Sequence, residues 1–385
     1  MRTAIVGAVL LALGAIAIGT GVLPADAALA VGARTWPILL FVVAITIVTE
    51  LAAEAGLFRV IASRLQRIGR GRALVLWLLV VGLAVISTIF LSLDTTAVLL
   101  TPVVVLLVRG VGLPPLPFAL TTVWIANTGS LLLPVSNLTN LLAERALGSS
   151  DPARFAGLMA LPAAVAIVIP CAAILVVFRR DLALRFAPTA PDHAEDPLLF
   201  WVSAGSVAAL LPLLVSGIEV WIPASAAAVV LVVATLLRSP RRVRLGLVPW
   251  QLVVFASGLF LVVEAAQSLG LEALVRAAAG SGESPLALLR LAGASAAGAN
   301  VVDNLPAYLA FEPVAGSSPQ RIAALLIGVN AGPLITPWAS LATLLWHSRL
   351  RALGVEFSWR RYLLLGTVVA PITVAAATFA LSLGA

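Results

Sequence analysis

The chain contains no lysine, a single cysteine (Cys171), two histidines, and charged residues at only 11% of its 385 positions. A soluble domain carries roughly 25% charged residues. A chain this poor in charge cannot cover its own surface in water, which excludes a soluble globular protein. The lone cysteine excludes disulfides and thiolate metal sites within the chain. The histidines, His193 and His347, fall in a loop and at a membrane edge and form no His/Glu metal motif. Also absent at usable spacing are a nucleophile with its base and a Gly-Asp aspartyl pair, so the pattern argues against an enzyme. No ATP-binding motif is visible; an ATP-driven pump would need a separate ATPase subunit. The sequence is compatible with that, and with a homodimer.

What the chain has in quantity is apolar sequence: 61% hydrophobic residues and a mean hydropathy of +1.11. A spanning helix needs about 20 apolar residues. The spans read as 3–23, 37–57, 116–146, 153–178, 198–216, 219–238, 250–271, 321–348 and 359–383. Residues 1–23, with Arg2 ahead of an apolar run and small residues near Ala25–Ala27, also resemble a signal peptide. Because more spans follow, a first transmembrane helix is the preferred reading. Two further apolar stretches, 73–109 and 284–316, are interrupted at Asp94 and at Asp303-Asn304-Leu305-Pro306. Each is expected to be a re-entrant hairpin that enters and leaves on one side.

With those hairpins the arginines sort themselves. Eighteen fall on one side: Arg2, Arg59, Arg64, Arg67, Arg70, Arg72, Arg109, Arg179, Arg180, Arg185, Arg238, Arg241, Arg242, Arg244, Arg349, Arg351, Arg360 and Arg361. Six fall on the other: Arg34, Arg145, Arg154, Arg276, Arg290 and Arg321. The bias predicts a multi-pass protein of the inner membrane with a cytoplasmic N-terminus and an extracytoplasmic C-terminus. Arginines gathered in short segments between apolar runs are topology signals, so the net charge of +7 does not imply a nucleic-acid partner. The partners expected are membrane lipid and a small solute.

The two halves carry the same features in the same order. Phe41, Glu50, Gly56 and Leu57 match Phe255, Glu264, Gly270 and Leu271; Asp94 then matches Asp303; Asn127-Thr-Gly-Ser-Leu-Leu-Leu-Pro134 matches Asn330-Ala-Gly-Pro-Leu-Ile-Thr-Pro337. Under the arginine topology the halves start on opposite sides. The expected fold is therefore an all-α polytopic membrane protein built from two inverted-topology repeats. Each repeat has a re-entrant helical hairpin and a broken transmembrane helix. The chain divides into a first helix and outer loop (1–36), a first repeat (37–178), linking helices (179–249) and a second repeat (250–385).

Inverted repeats set their discontinuous helices face to face near the bilayer midplane. Irregular backbone survives in hydrocarbon only against protein or a wet cavity. The residues at the breaks suit such a cavity: Asp94, Thr95, Thr96, Asn127, Ser130, Ser136 and Asn137 in the first half, Asn300, Asp303, Asn304, Asn330, Thr336 and Ser340 in the second. Freed carbonyls there can hold a cation, and new helix N-termini favour an anion. A charge at the bilayer centre costs roughly 3 kcal/mol or more. Asp94, Asp303, Glu50, Glu54 and Glu264, for which no Lys or mid-span Arg is available, are the candidates for proton coupling. Transported or coupling H+ or Na+ is the only cofactor-like species implied.

At these clusters the chain resembles the ion transporter superfamily: the ArsB-type arsenite exporters, the NhaD-like antiporters and the citrate transporter-like permeases. Residues about 37–383 share the likeness. Its most specific stretch is Asn330-Ala-Gly-Pro-Leu-Ile-Thr-Pro-Trp-Ala-Ser-Leu-Ala-Thr-Leu-Leu-Trp346, close to the ArsB signature. Glu54-Ala-Gly-Leu-Phe58, Ser136-Asn-Leu-Thr-Asn140 and Asp303-Asn-Leu-Pro306 resemble further family motifs. The resemblance implies an elevator-like carrier exporting trivalent arsenic or antimony hydroxides in exchange for protons. Departures occur where ArsB has charge: Asn127 and Asn330 stand in place of Asp, and Leu334 in place of Lys. Leu93-Asp94-Thr95-Thr96 leans toward the Ser-Asn-Thr tips of dicarboxylate carriers. The alternatives are a sodium/proton antiporter and a sodium-coupled di- or tricarboxylate carrier; a passive channel ranks last.

Overall fold

The structure, a computed structural model, describes residues 2–148, 151–188 and 192–384. Among the described residues eight helices are long and apolar enough to cross a membrane. The first half runs α1 (Arg2–Gly19), α2 (Ala25–Glu54) and a short α3 (Leu57–Ile68). A hairpin follows: α4 (Ala73–Leu91), the turn α5 (Leu93–Thr95), a π turn over Thr96–Leu100, and α6 (Thr101–Gly110). Next come a broken helix, α7 (Leu116–Thr128) with α8 (Leu138–Ala146), and then α9 (Pro152–Val177). The link holds α10 (Arg179–Leu182), α11 (Pro197–Leu213) and α12 (Trp221–Arg238). The second half repeats the order: α13 (Trp250–Ser268), short α14 (Leu271–Ala279), hairpin α15 (Pro285–Val302) and α16 (Asn304–Ala315), broken helix α17 (Pro319–Ala331) and α18 (Leu341–Ala352), and α19 (Trp359–Leu383).

Local sequence explains where these helices begin. Four starts share one device, a capping side chain followed by proline at the first helical position, where a missing N–H costs nothing. Asp151 accepts from Ala153 N at 2.9 Å, Asp196 from Leu198 and Leu199 N at 3.1 Å, and Ser284 and Ser318 from Ala287 and Arg321 N at 3.3 Å. Asp196 also accepts from Arg238 Nε at 3.0 Å, and that hydrogen bond, ahead of the backbone ones, holds its carboxyl below the usual range. The turn from α2 into α3 passes through Gly56 at φ 86°, and that from α13 into α14 through Gly270 at φ 96°. A residue with a Cβ is strained at these angles, so glycine sets both corners.

The packing pairs α1 lengthwise with α13, α12 with α2, and α9 with α19. In α7, Pro117–Thr128 are all buried, and in α17, Arg321–Ala331 are all buried. The two broken helices are thus the centre of the molecule. Indole donors pin neighbours to α7: Trp77 Nε1 donates to Thr121 Oγ1 at 2.8 Å, and Trp346 Nε1 donates to the Ala119 carbonyl at 2.8 Å.

The ionic contacts respect the two arginine sets. Glu54 with Arg244, Glu195 with Arg59 and Arg242, and Asp196 with Arg238 lie in one set. Arg34 with Glu312, Arg145 with Glu219, and Arg276 with Glu272 lie in the other. Glu54 is reached by a basic side chain from outside the spans. Arg244 arrives from a loop 190 residues away in sequence, its Nη2 3.1 Å from Glu54 Oε1, while Arg242 donates to the Glu54 carbonyl at 3.0 Å. Long arginine side chains reach back along a helix end in this way.

Candidate functional site

Each hairpin turns at a residue with an unusual backbone. Ser92 has φ 112° and ψ 157°; Asp303 has φ 112° and ψ 158°. This region is nearly restricted to glycine, and holding another residue there costs about 1–3 kcal/mol. Both side chains offset part of that cost by capping the helix that follows. Ser92 Oγ accepts from Thr95 N and Asp303 Oδ1 from Leu305 N, each at 3.3 Å. The matched conformations make Ser92, not Asp94, the counterpart of Asp303. The repeat register read from the carboxylates is therefore shifted by two residues at this point. Beyond the first tip, Pro102 offers no N–H to the Val98 carbonyl, and the chain widens into the π turn over Thr96–Leu100.

The broken helices resume just past their extended breaks. Asn137 (φ −153°, ψ 148°) and Ser340 (φ −147°, ψ 130°) sit at the N-caps of α8 and α18. Asn137 Oδ1 accepts from Thr139 N at 3.4 Å, whereas the buried Ser340 Oγ has no partner. Asp303 lies beside Ser340 and Leu341, at the start of α18, where the second hairpin tip meets the second broken helix.

Both tips and both N-caps line one cavity of about 70 Å³. Its polar wall is Ser92, Asp94, Asn137, Asp303, Asn304 and Ser340. Phe41, Thr46, Leu252 and Phe255, from α2 and α13, close the other wall. No basic side chain lines it. Asp94 makes no hydrogen bond or ion pair with any described residue, and the two carboxylates lie near enough to interact electrostatically. Ser92, Asp94, Thr46, Leu252 and Leu341 also line a larger cleft of 460 Å³, which extends past Thr95 to Glu50 and Arg349. The central cavity therefore has an open approach from the Glu50 side.

On the opposite side a set of polar contacts joins α2, α8 and α16. Arg34 of α2 pairs with Glu312 of α16, Tyr308 donates to Glu312 Oε1 at 3.2 Å, and Arg145 donates to the Arg34 carbonyl at 2.7 Å. Glu264 lines a separate 70 Å³ cavity there with Arg34, Gln267 and Glu312. Glu50 and Glu264, matched by spacing in the sequence, thus face different cavities.

The remaining polar residues singled out in the sequence stand behind the lining, holding the breaks in shape. Asn330 Oδ1 accepts from Asn137 Nδ2 at 2.7 Å and Thr139 Oγ1 at 3.3 Å, and its Nδ2 donates to Asn140 Oδ1 at 3.1 Å. Asn140 donates in turn to the Ser130 carbonyl at 2.6 Å. Ser136 donates to the same carbonyl, and Ser130 Oγ to the Asn127 carbonyl at 2.7 Å. Asn127 Nδ2 donates to the Val123 carbonyl at 2.9 Å, and Thr96 Oγ1 receives Thr88 Oγ1 at 2.9 Å. Asn300 accepts from Thr336 N at 2.9 Å and donates to the Gly332 carbonyl at 2.9 Å, bridging the second hairpin to its broken helix.

Thr46, Phe41 and Phe255 as cavity walls, and the Arg34–Glu312 pair, were not singled out as site residues in the sequence. An acidic residue inside the apolar run 284–316 was the available signal for Glu312. The Asn330 network carries a prediction. Asn330→Ala removes the described acceptor of the buried Asn137 amide N–H and one of two donors to the Asn140 amide oxygen, at about 1–3 kcal/mol for a group left without a partner. Its apparent melting temperature, followed by size-exclusion chromatography after heating, should fall by several degrees. An unchanged value would show the network contributes nothing to stability.

Comparison with known proteins places this geometry in context. A family model described as a citrate transporter matches residues 2–343. The arsenical pump membrane protein of Escherichia coli (strain K12) is 30% identical over 362 residues, covering 85% of this chain and 81% of that protein. That of Yersinia enterocolitica is 31% identical over 369 residues, with the same shares covered. A putative arsenical pump membrane protein of Bacillus subtilis (strain 168) is 25% identical over 374 residues, covering 86% and 83%. Among solved structures, the YdaH transporter of Alcanivorax borkumensis, reported to have an unusual topology, superposes with a TM-score of 0.60. It covers 100% of this chain and 98% of that one at 16% identity, a likeness of fold alone.

Proposed function

The chain belongs to the citrate transporter family, and from that footing we propose that it exports small neutral hydroxides of trivalent arsenic or antimony in exchange for protons. It is a multi-pass membrane transporter of the arsenical pump and citrate transporter type. The observation that carries the finer reading is the chemistry of the central cavity. A citrate-sized polyanion would need a cationic clamp, and the cavity offers two carboxylates and no basic side chain. A small uncharged trihydroxide needs only hydrogen-bonding groups at close range. Asn137, Asn304, Ser340 and Ser92 supply donors and acceptors along one wall of a 70 Å³ space. Two carboxylates in a low-dielectric site cannot both stay ionised cheaply. Proton uptake at Asp94 or Asp303 is the natural means of linking solute movement to a proton gradient.

In this reading the hairpins and broken helices move as one body against α1, α2, α12 and α13, and the short helices α3 and α14 follow it about Gly56 and Gly270. The arginine count puts the open Glu50 side in the cytoplasm, so solute loads from within, and separation of the Arg34–Glu312 contact lets it leave. Everted vesicles under an imposed pH gradient test the proposal. Gradient-dependent accumulation of radiolabelled arsenite, with no uptake of labelled citrate, is the expected result. Citrate uptake without arsenite uptake would sink it.

The Arg34–Glu312 contact carries a prediction of its own. Arg34 is 41% exposed, so solvent screens the pair and holds its worth to about 1 kcal/mol, a factor of about five in a conformational equilibrium. In a Cys171→Ser background, Thr46→Cys reports the open cleft by reaction with a membrane-impermeant maleimide from the Glu50 side. Adding Glu312→Gln should slow that labelling, by at most about fivefold, as the population shifts. An unchanged rate would remove the pair from the gating step.

A further inference from the structure

We propose that the corner where α4, α9 and α19 reach the membrane boundary is a binding site for the headgroup of an anionic phospholipid. Three distant segments meet there. Residues 70–73 and 184–186 are joined by backbone hydrogen bonds from Ala73 N to the Leu184 carbonyl at 3.0 Å and from Phe186 N to the Gly71 carbonyl at 2.9 Å, flanking a bridge between Arg72 and Arg185. The helical turn α10 packs on both α4 and α9. From the third segment, the Arg361 guanidinium lies 4.9 Å over the Phe178 ring. The result is one corner holding Arg70, Arg72, Arg179, Arg180, Arg185 and Arg361, all exposed.

Five other arginines of the same set are engaged. Arg59 and Arg242 pair with Glu195, Arg238 with Asp196, Arg244 with Glu54, and Arg109 donates to the Leu353 carbonyl at 2.6 Å. None of the six corner arginines forms a described ion pair, and the acidic residues on their segments are Asp181 and Glu356. A topology signal needs only the charges. It does not need a backbone bridge that gathers them, nor Arg70 held at φ 48°, a left-handed conformation uncommon without glycine. Planar guanidinium groups match phosphate bidentately, and arginine clusters beside spanning helices suit anionic headgroups. The neighbouring surface fits the rest of a lipid: Ile68, Leu184, Val176 and Val177 are exposed beside the arginines, with Val176 at 70%. A lipid here would bridge the entry of the first hairpin to α9 and α19.

Native mass spectrometry of the full-length protein tests the site, with phosphatidylglycerol and cardiolipin as probes and phosphatidylethanolamine and inorganic phosphate as controls. The wild type should retain the anionic lipids, and R70Q/R72Q/R185Q should bind them at least ~tenfold more weakly. R179Q/R180Q/R361Q, which leaves the backbone bridge untouched, should show the same loss if the first variant folds poorly. R64Q/R241Q/R351Q removes as much charge elsewhere and should bind as the wild type does. Equal binding by both corner variants, equal loss in the control variant, equal retention of phosphatidylethanolamine, or capture of phosphate without preference for lipid would each overturn the proposal.

Discussion

Vesicles carrying Asp94→Asn should accumulate solute against its gradient at least ~tenfold less than the wild type, the factor given by a loss of about 1.4 kcal/mol. Asp303→Asn should do the same. Both substitutions keep the size of the side chain and remove its charge. The two positions nevertheless differ. Asp94 touches no described partner and opens onto the central cavity, so its replacement disturbs little structure. Asp303 caps α16 through Leu305 N and holds φ 112°, and asparagine tolerates both demands better than most residues. The informative comparison is between uphill accumulation and gradient-free counterflow, in which labelled solute exchanges for unlabelled. If the carboxylates couple, uphill movement is lost while counterflow persists. Loss of both would move the residue from coupling to solute binding, and full uphill activity in either variant would remove that residue from the coupling step. Asp303→Ala, which abolishes the cap as well, should be less stable than Asp303→Asn by about 1 kcal/mol.

The second large effect is expected at a residue that does not line the cavity. Gly366 of α19 packs directly on the break of the second broken helix, where an added Cβ would meet the Leu334 carbonyl oxygen and lie 2.8 Å from Ile335 Cα. These are backbone atoms, unable to move without displacing the break itself. Inserting one carbon into a well-packed core costs typically 1–3 kcal/mol, and the rigidity of the neighbours puts Gly366→Ala at the upper end or above. The expected outcome is a sharp loss of folded protein in detergent, measured as the monodisperse fraction after extraction. Gly354→Ala, with open space around its Cβ, provides the comparison, since its φ of 65° strains the backbone without a clash. A Gly366→Ala protein as abundant and stable as the wild type would show that the break can yield, and so is not held in place by α19.

Much of the architecture was legible before any coordinates. The expected spans 153–178, 250–271 and 359–383 correspond closely to α9, α13 and α19, and the two interrupted runs are helices joined at a tip. Dipeptides such as Asp196-Pro197 and Ser318-Pro319 mark helix starts because a cap and a proline act within one turn. Exceptions arise where contacts across the molecule decide. Asp94 looked like the partner of Asp303 because both are acidic breaks, but the backbone pairs Ser92 with Asp303. Arg244 is brought to Glu54 from a loop 190 residues away, a contact that no local pattern signals.

The sequence by itself determined the solvent, the class, several of the spans, the places where helices fail, and the order shared by the halves. Those follow from lipid around the chain and from proline, glycine and capping residues acting over a few positions. Only the tertiary structure decided which polar groups face the central cavity. It set Asn137 and Ser340 on the cavity and turned Asn127 and Asn330 to the support behind it. It also gave Glu50 and Glu264 to separate cavities. Side-chain direction and the identity of a partner hundreds of residues away are set by how whole helices pack, which no local pattern encodes.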